Sequence, residues 1–332
     1  MLEVEDLAVT FKISAGLGRA RHLQAVRDVS FTIAPGEVVG IVGESGSGKS
    51  TTARAIIKLE KASAGRIILE GTDITAMSER AFRPSRRRVQ MVFQDPYSSL
   101  DPTMTIGESI AEPLQMMKAV KGAALTRRVE ELLALVELNA AHRHRYPHEF
   151  SGGQRQRIAI ARAMALDPAL LICDEAVSAL DVSTQNQVMN LLIELRQRLG
   201  MAYLFVSHDL AVVRNVADRV LVMYLGKVVE EGPTEQVLRN PQHPYTQALL
   251  AAVPRPNPAD RPDRKNYLVK GDLPDPTSPP TGCAFQTRCP LVIDECRTSP
   301  PALRPVPGGS AVACHLVTPD PEELRNVPRL HD

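Results

Sequence analysis

The chain has 332 residues, which at roughly 100–200 residues per domain suggests about two domains, or one large domain with an appendage. Hydrophobic residues make up 44% and charged residues 23%, a globular balance that excludes a wholly disordered or fibrous chain. Thirty-nine Lys and Arg against 38 Asp and Glu leave a net charge of +1, which argues against a protein that lives mainly on nucleic-acid phosphates.

In chain order, Val4, Leu7, Val9 and Phe11 read as a strand, and Val29–Ile33 alternates apolar and polar with period two. Pro35-Gly36 is a turn. Glu37 to Val42 reads as a buried parallel strand, and helix-like sequence runs from Thr52 to Leu59. Strand signals return at Arg66–Leu69 and Val89–Phe93. Thr103 to about Leu138 reads as helices, as does Gly153–Leu166. Strand Leu170–Cys173, helix Ser183–Leu199 and strand Ala202–Ser207 follow. Strand–helix alternation of this kind predicts an α/β fold with a largely parallel sheet.

No apolar run reaches the ~20 residues of a membrane helix. Ala169–Ile172 runs into Asp174, and Leu199–Val206 into His208 and Asp209. The acidic start Met1-Leu2-Glu3-Val4-Glu5-Asp6 lacks the layout of a signal peptide. The chain is therefore expected in the cytosol, with any membrane spans supplied by other subunits. Past residue 233 prolines crowd the chain, Pro254, Pro256, Pro258, Pro262, Pro274, Pro276, Pro279 and Pro280 among them, so regular structure there should be sparse. Four of the five cysteines lie in the same stretch, which suggests a compact unit held by cross-links or metal.

Chemistry enters at Gly43-Glu44-Ser45-Gly46-Ser47-Gly48-Lys49-Ser50-Thr51, which satisfies G-x-x-x-x-G-K-[ST] between a strand and a helix. The glycines let backbone N–H groups turn in on phosphate oxygens, and the helix points its positive end at them. Lys49 would reach the β- and γ-phosphates of a nucleotide, and Ser50 would ligate Mg²⁺; the motif alone does not say which nucleotide-hydrolase class is present. The apolar strand Leu170–Cys173 ends in Asp174 and Glu175. Asp174 would hold Mg²⁺ through water, and Glu175 would take the proton of the attacking water.

Ser151-Gly152-Gly153-Gln154-Arg155-Gln156-Arg157 resembles the signature motif of the ATP-binding cassette (ABC) family. Gln94 matches its Q-loop glutamine, Ser178-Ala179-Leu180-Asp181 its D-loop, and His208 its switch histidine, so six motifs stand in family order. The resemblance implies an ABC-type P-loop NTPase with an antiparallel β subdomain and a helical subdomain at about 96–160. It also implies a head-to-tail dimer enclosing two ATP molecules. Each site would use Lys49 and Glu175 of one chain and Ser151 and Gly153 of the other, with Gly152, Gln154 and Asp181 also among the ATP-binding residues. His208 would contact the γ-phosphate, and Gln94 would sense Mg²⁺ and relay to the membrane partner. Phe150 stands where the family usually has leucine and Ala176 where proline is common; neither removes a catalytic group. Phe11 and His22 are both open as the aromatic that stacks on adenine.

Phe93–Pro102, Ile110–Leu114 and Asn240–Thr246 are similar to segments of the peptide-transporter ATPase subfamily, which serves dipeptide, oligopeptide and nickel importers. That resemblance divides the chain into a cassette at 1–232 and an extension at 233–332. It implies two transmembrane permease subunits, an extracytoplasmic solute-binding protein, and a peripheral position on the cytoplasmic face of the inner membrane. Cys283, Cys289, Cys296 and Cys314 admit three readings. Disulfides are disfavoured in a reducing cytosol. Zinc is chemically possible without its usual C-x₂-C spacing. A [4Fe–4S] cluster also takes four thiolates, and the resemblance points to it. Cys173, in the buried strand, should behave as a small hydrophobe. The competing function is a soluble cassette ATPase acting on nucleic acid or ribosomes, whose usual coiled-coil insertions or paired cassettes are not visible here.

Overall fold

A computed structural model describes residues 1–14, 20–95, 97, 99–252 and 273–318. In chain order the strands and helices are β1 (Leu2–Ser14), β2 (Ala20–Ile33), β3 (Val38–Val42), α1 (Lys49–Ile56), β4 (Ala64–Leu69), β5 (Thr72–Asp73), α2 (Glu79–Arg86), β6 (Val89–Val92), α3 (Ile106–Met116), α4 (Ala123–Leu135), α5 (Gly152–Met164), β7 (Leu170–Asp174), α6 (Val182–Leu199), β8 (Ala202–Ser207), α7 (Leu210–Val216), β9 (Arg219–Tyr224), β10 (Lys227–Pro233), α8 (Thr234–Arg239), α9 (Pro244–Ala252), α10 (Asp294–Thr298), β11 (Arg304–Val306) and β12 (Ser310–Val312). Two compact units form: Met1–Glu3, Thr32–Val38 and Ile68–Val206 make the first, and Val4–Phe31, Val39–Ile67 and Ser207–Asp332 the second.

In the first unit β6, β7 and β8 run parallel, with Val89 opposite Leu170 and Leu170 opposite Ala202. Every residue of β7 and β8 is buried, so both read as continuous apolar runs without alternation. Helices α3, α4 and α5 pack on one another around Ile110, Leu114, Leu132, Leu133 and Ile158. The stretch read as helical from Thr103 to Leu138 is two helices. Thr105 and Glu108 close a capping box that starts α3. The chain then breaks after Met116, where Lys118 and Gly122 take positive φ before α4.

In the second unit β3 and β9 are parallel, with Val39 opposite Arg219, and β9 turns back into antiparallel β10. Short β12 adds to β10 through Glu230 opposite Val312, and β11 pairs β12. Among the described residues the proline-rich extension contributes two three-residue strands and short helices. Strands β2, β1 and β4 lie in that order in a second sheet, and Val4, Leu7, Val9, Val26, Val29 and Phe31 are buried. Pro254, Pro256, Pro258 and Pro262, and Pro96 and Ser98 of the extended Q-loop, lie outside the described residues.

Candidate functional site

The phosphate loop belongs to the second unit. Gly43 has no room for a side chain: a Cβ there would stand 2.2 Å from the carbonyl oxygen of Met223. Gly48 has φ +102° at the N-cap of α1, where a Cβ would stand 2.4 Å from the Ala25 carbonyl. That left-handed residue turns the chain straight into the helix, and the Thr52 amide donates to the Gly48 carbonyl at 2.9 Å. The helix therefore starts at Lys49, three residues earlier than apolar pattern alone indicates. Lys49 is buried, and its Nζ donates to the carbonyls of Gly43 at 2.8 Å and Glu44 at 3.0 Å. Ser45 and Gly46 are exposed and Ser50 is half-buried, while Ser47 is buried and its carbonyl accepts from the Gly226 amide at 2.9 Å. His208 is exposed, follows β8, and precedes Asp209, which N-caps α7.

The carboxylates belong to the first unit. Asp174 closes β7 and is 1% exposed. Glu175, the next residue, is held at φ +48°, a conformation costly for a side chain of its size. Its amide donates to the Val206 carbonyl at 2.9 Å. The Gln94 side-chain amide donates to Glu175 Oε2 at 2.9 Å, so the structure brings these two expected residues together. Burial pushes the Cys173 thiol up to about 12, which fits an inert core residue.

Ser151 N-caps α5. Its Oγ accepts from the Gln154 amide at 3.3 Å, and the Gln154 side chain accepts from the Ser151 amide at 3.1 Å. This Ser-Gly-Gly turn leads into a helix N-terminus, whose positive end suits an anion. A Cβ on Gly153 would stand 2.1 Å from Thr184 Cγ2, whereas Gly152 has more room. Asp181 N-caps α6, and the Thr184 amide holds its carboxyl below the usual range. Arg155 lies with its guanidinium 4.1 Å from the Tyr97 ring centre, a contact between the Q-loop segment and α5 that no motif announces. Phe11 is half-buried on β1 and His22 exposed on β2, and nothing in their packing singles either out for adenine.

The cysteines of the extension lie in the second unit. Cys283, Cys296 and Cys314 are buried and Cys289 is half-buried, all as free thiols. Burial, helped by the other three cysteines, pushes the Cys283 thiol up to about 11 against the Phe285 amide that donates to it. Burial likewise raises Cys289 and Cys314, opposed by the amides of Leu291 and Leu316. Among the described residues no three His, Cys, Asp or Glu side chains gather as a single metal ion requires. Sequence reasoning also missed Tyr245, whose hydroxyl accepts from the Glu44 amide at 2.8 Å, and Arg288, whose guanidinium grips the Glu44 carboxylate. Their distance along the chain left no local signal.

A profile described as ABC transporter matches residues 26–178, and one described as oligopeptide/dipeptide transporter, C-terminal region, matches residues 229–296. The chain is 49% identical to a probable peptide ABC transporter ATP-binding protein of Sinorhizobium fredii, over 96% of this chain and 90% of that one. It is also 49% identical to an oligopeptide transport ATP-binding protein of Salmonella typhimurium, over 96% of this chain and 97% of that one. Among solved structures it is similar to a dimeric ATP-binding cassette in a post-hydrolysis state bound to ADP and Pi. That likeness has TM-score 0.63 and 31% identity, covering 70% of this chain and 99% of the other.

Proposed function

The chain belongs to the ATP-binding subunits of the ABC transporter family, and on that premise we propose that it is the ATP-hydrolysing subunit of a peptide importer. The observation that carries this reading is the phosphate loop: Gly43 and Gly48 sit where only glycine fits, and buried Lys49 lies over the loop. The match to the peptide-transporter C-terminal region extends the reading to cargo class.

In this reading the loop amides from Ser45 to Thr51 bind the β- and γ-phosphates, with Lys49 neutralising their charge. Mg²⁺ when bound would withdraw charge from the phosphates, and a hydroxyl at Ser50 with carboxylate and amide oxygens at Asp174 and Gln94 suits a hard cation. Glu175 accepts the proton of a water whose oxygen bonds to the γ-phosphorus as the bond to the β–γ bridging oxygen breaks, leaving ADP and phosphate. The Gln94 side-chain amide donates to the Glu175 carboxylate and helps to orient it. In this reading His208 would contact the γ-phosphate. Ser151, Gly152, Gly153 and Gln154 of a second chain, homologous or identical, would close on the same nucleotide head to tail, with Asp181 at the seam.

Among the described residues no helix is long and apolar enough to cross a membrane. In the proposed assembly two permease subunits supply the spans, a solute-binding protein delivers peptide, and this chain sits peripherally at the cytoplasmic face. Reconstitution with permeases and binding protein tests this: peptide should accelerate ATP hydrolysis. Acceleration by nucleic acid or ribosomes alone would instead favour a soluble cassette ATPase.

For the extension we propose that Cys283, Cys289, Cys296 and Cys314 hold a [4Fe–4S] cluster. The donor chemistry fits: four thiols, three of them buried, and three accepting an amide from the residue two positions on, which stabilises thiolate charge. Four thiolates also suit tetrahedral zinc, which is the competing occupant. Brown protein purified without oxygen, with iron and sulfide, supports the cluster; colourless protein with equimolar zinc overturns it.

A further inference from the structure

Glu44 is the second residue of the phosphate loop, and it is held from both sides by the C-terminal extension. Its amide donates to Tyr245 Oη at 2.8 Å. Its carboxylate receives both arms of Arg288, NH1 to Oε2 at 2.7 Å and NH2 to Oε1 at 3.1 Å. The Arg288 side chain is 10% exposed and that of Glu44 28% exposed, so water screens this ion pair far less than a surface pair. Arg288 NH1 also reaches Tyr224 Oη at 3.4 Å. Tyr224, Tyr245 and Phe285 pack ring on ring beneath it, with centroids 4.7 to 5.5 Å apart. All three rings are essentially inaccessible to solvent.

The clamp has a rigid root. Phe285 accepts from the amides of Arg288 at 3.0 Å and Cys289 at 2.9 Å, and its own amide donates to the Cys283 thiol. One tight turn therefore fixes two cysteines and the arginine together. At the other end, the Glu44 carbonyl accepts from Lys49 Nζ at 3.0 Å. A displacement of Glu44 moves a group on which the phosphate-binding lysine rests.

We propose that Arg288 and Tyr245 are positioning residues for the phosphate loop, so that the cysteine-bearing turn 283–289 and ATP are energetically coupled through Glu44. This rests on the reading of the loop as an ATP site. Coupling of this kind is reciprocal: whatever the turn gives to nucleotide affinity, nucleotide gives back to the order of the turn.

The test measures ATP affinity calorimetrically on the full chain, together with amide hydrogen exchange in 283–289 with and without ATP. Arg288→Ala should weaken ATP binding about tenfold, and Arg288→Lys by a few-fold, because an ammonium keeps the charge and loses the two-armed grip. ATP should slow exchange in 283–289 of the wild type and leave it unchanged in Arg288→Ala. A variant with lowered thermal stability but ATP affinity within about twofold of wild type would reduce Arg288 to a structural tie and overturn the proposal. So would wild-type exchange in the turn that ATP does not touch. If Arg288→Ala does not fold, unchanged affinity in Arg288→Lys overturns it equally. A wild-type chain that binds no ATP overturns the reading of the loop itself, and this inference with it.

Discussion

Gly48 shows how narrowly the loop is specified at the level of single residues. A methyl group there meets the Ala25 carbonyl at 2.4 Å while the backbone must hold φ +102°. Gly48→Ala is expected to destabilise the chain by roughly 1–3 kcal/mol and to lose ATP binding; urea midpoints and calorimetry check this. Gly43, Gly48, Lys49, Ser50 and the carboxylates Asp174 and Glu175 were legible in the sequence, because each motif is local and its chemistry needs fixed residue types at fixed spacing. The partners of Glu44 were not legible. Arg288 is 244 positions away, and nothing short of the folded second unit brings it to the loop.

Among the elements, α5 and α3 start on the same kind of capping box, and only the one at α5 carries a proposed role at the nucleotide. Ser151 closes a capping box with Gln154, as Thr105 does with Glu108. Thr105→Ala should cost about 1 kcal/mol in stability and leave ATP affinity alone. Ser151→Ala should cost about the same and also slow hydrolysis, because the hydroxyl would serve the neighbour's nucleotide. Thermal midpoints and steady-state rates distinguish the two. Strand β8 was read from sequence with its observed ends, since a run buried on both faces announces itself. The strands β11 and β12 were not read. Three residues carry no period, and they are strands because the edge of β10 offers them amides and carbonyls to pair.

Over the whole molecule, buried ionisable groups tie the extension to the sheet and make folding pH-dependent. Burial holds His243 down to about 3, against the Ala313 carbonyl that favours its protonation. An unfolded histidine titrates near about 6.5, so below that pH the unfolded chain takes a proton that the folded chain refuses. Stability should therefore fall as pH drops below about 6.5. Glu230 has the opposite sign. Burial raises its carboxyl while the amides of Gln242 and His243 donate to it, so acidification offsets part of the loss. Urea midpoints between about pH 6.5 and pH 5 should fall in wild type and flatten in His243→Gln.

In the proposed mechanism every link from loop to transport depends on one step, removal of a proton from water by Glu175. ATP binding and ATP hydrolysis measured on the same preparations of wild type and Glu175→Gln test it most directly. Glutamine keeps the shape and cannot accept the proton, so hydrolysis should fall by about a hundredfold or more while ATP affinity is retained. Hydrolysis by Glu175→Gln at the wild-type rate would contradict the account.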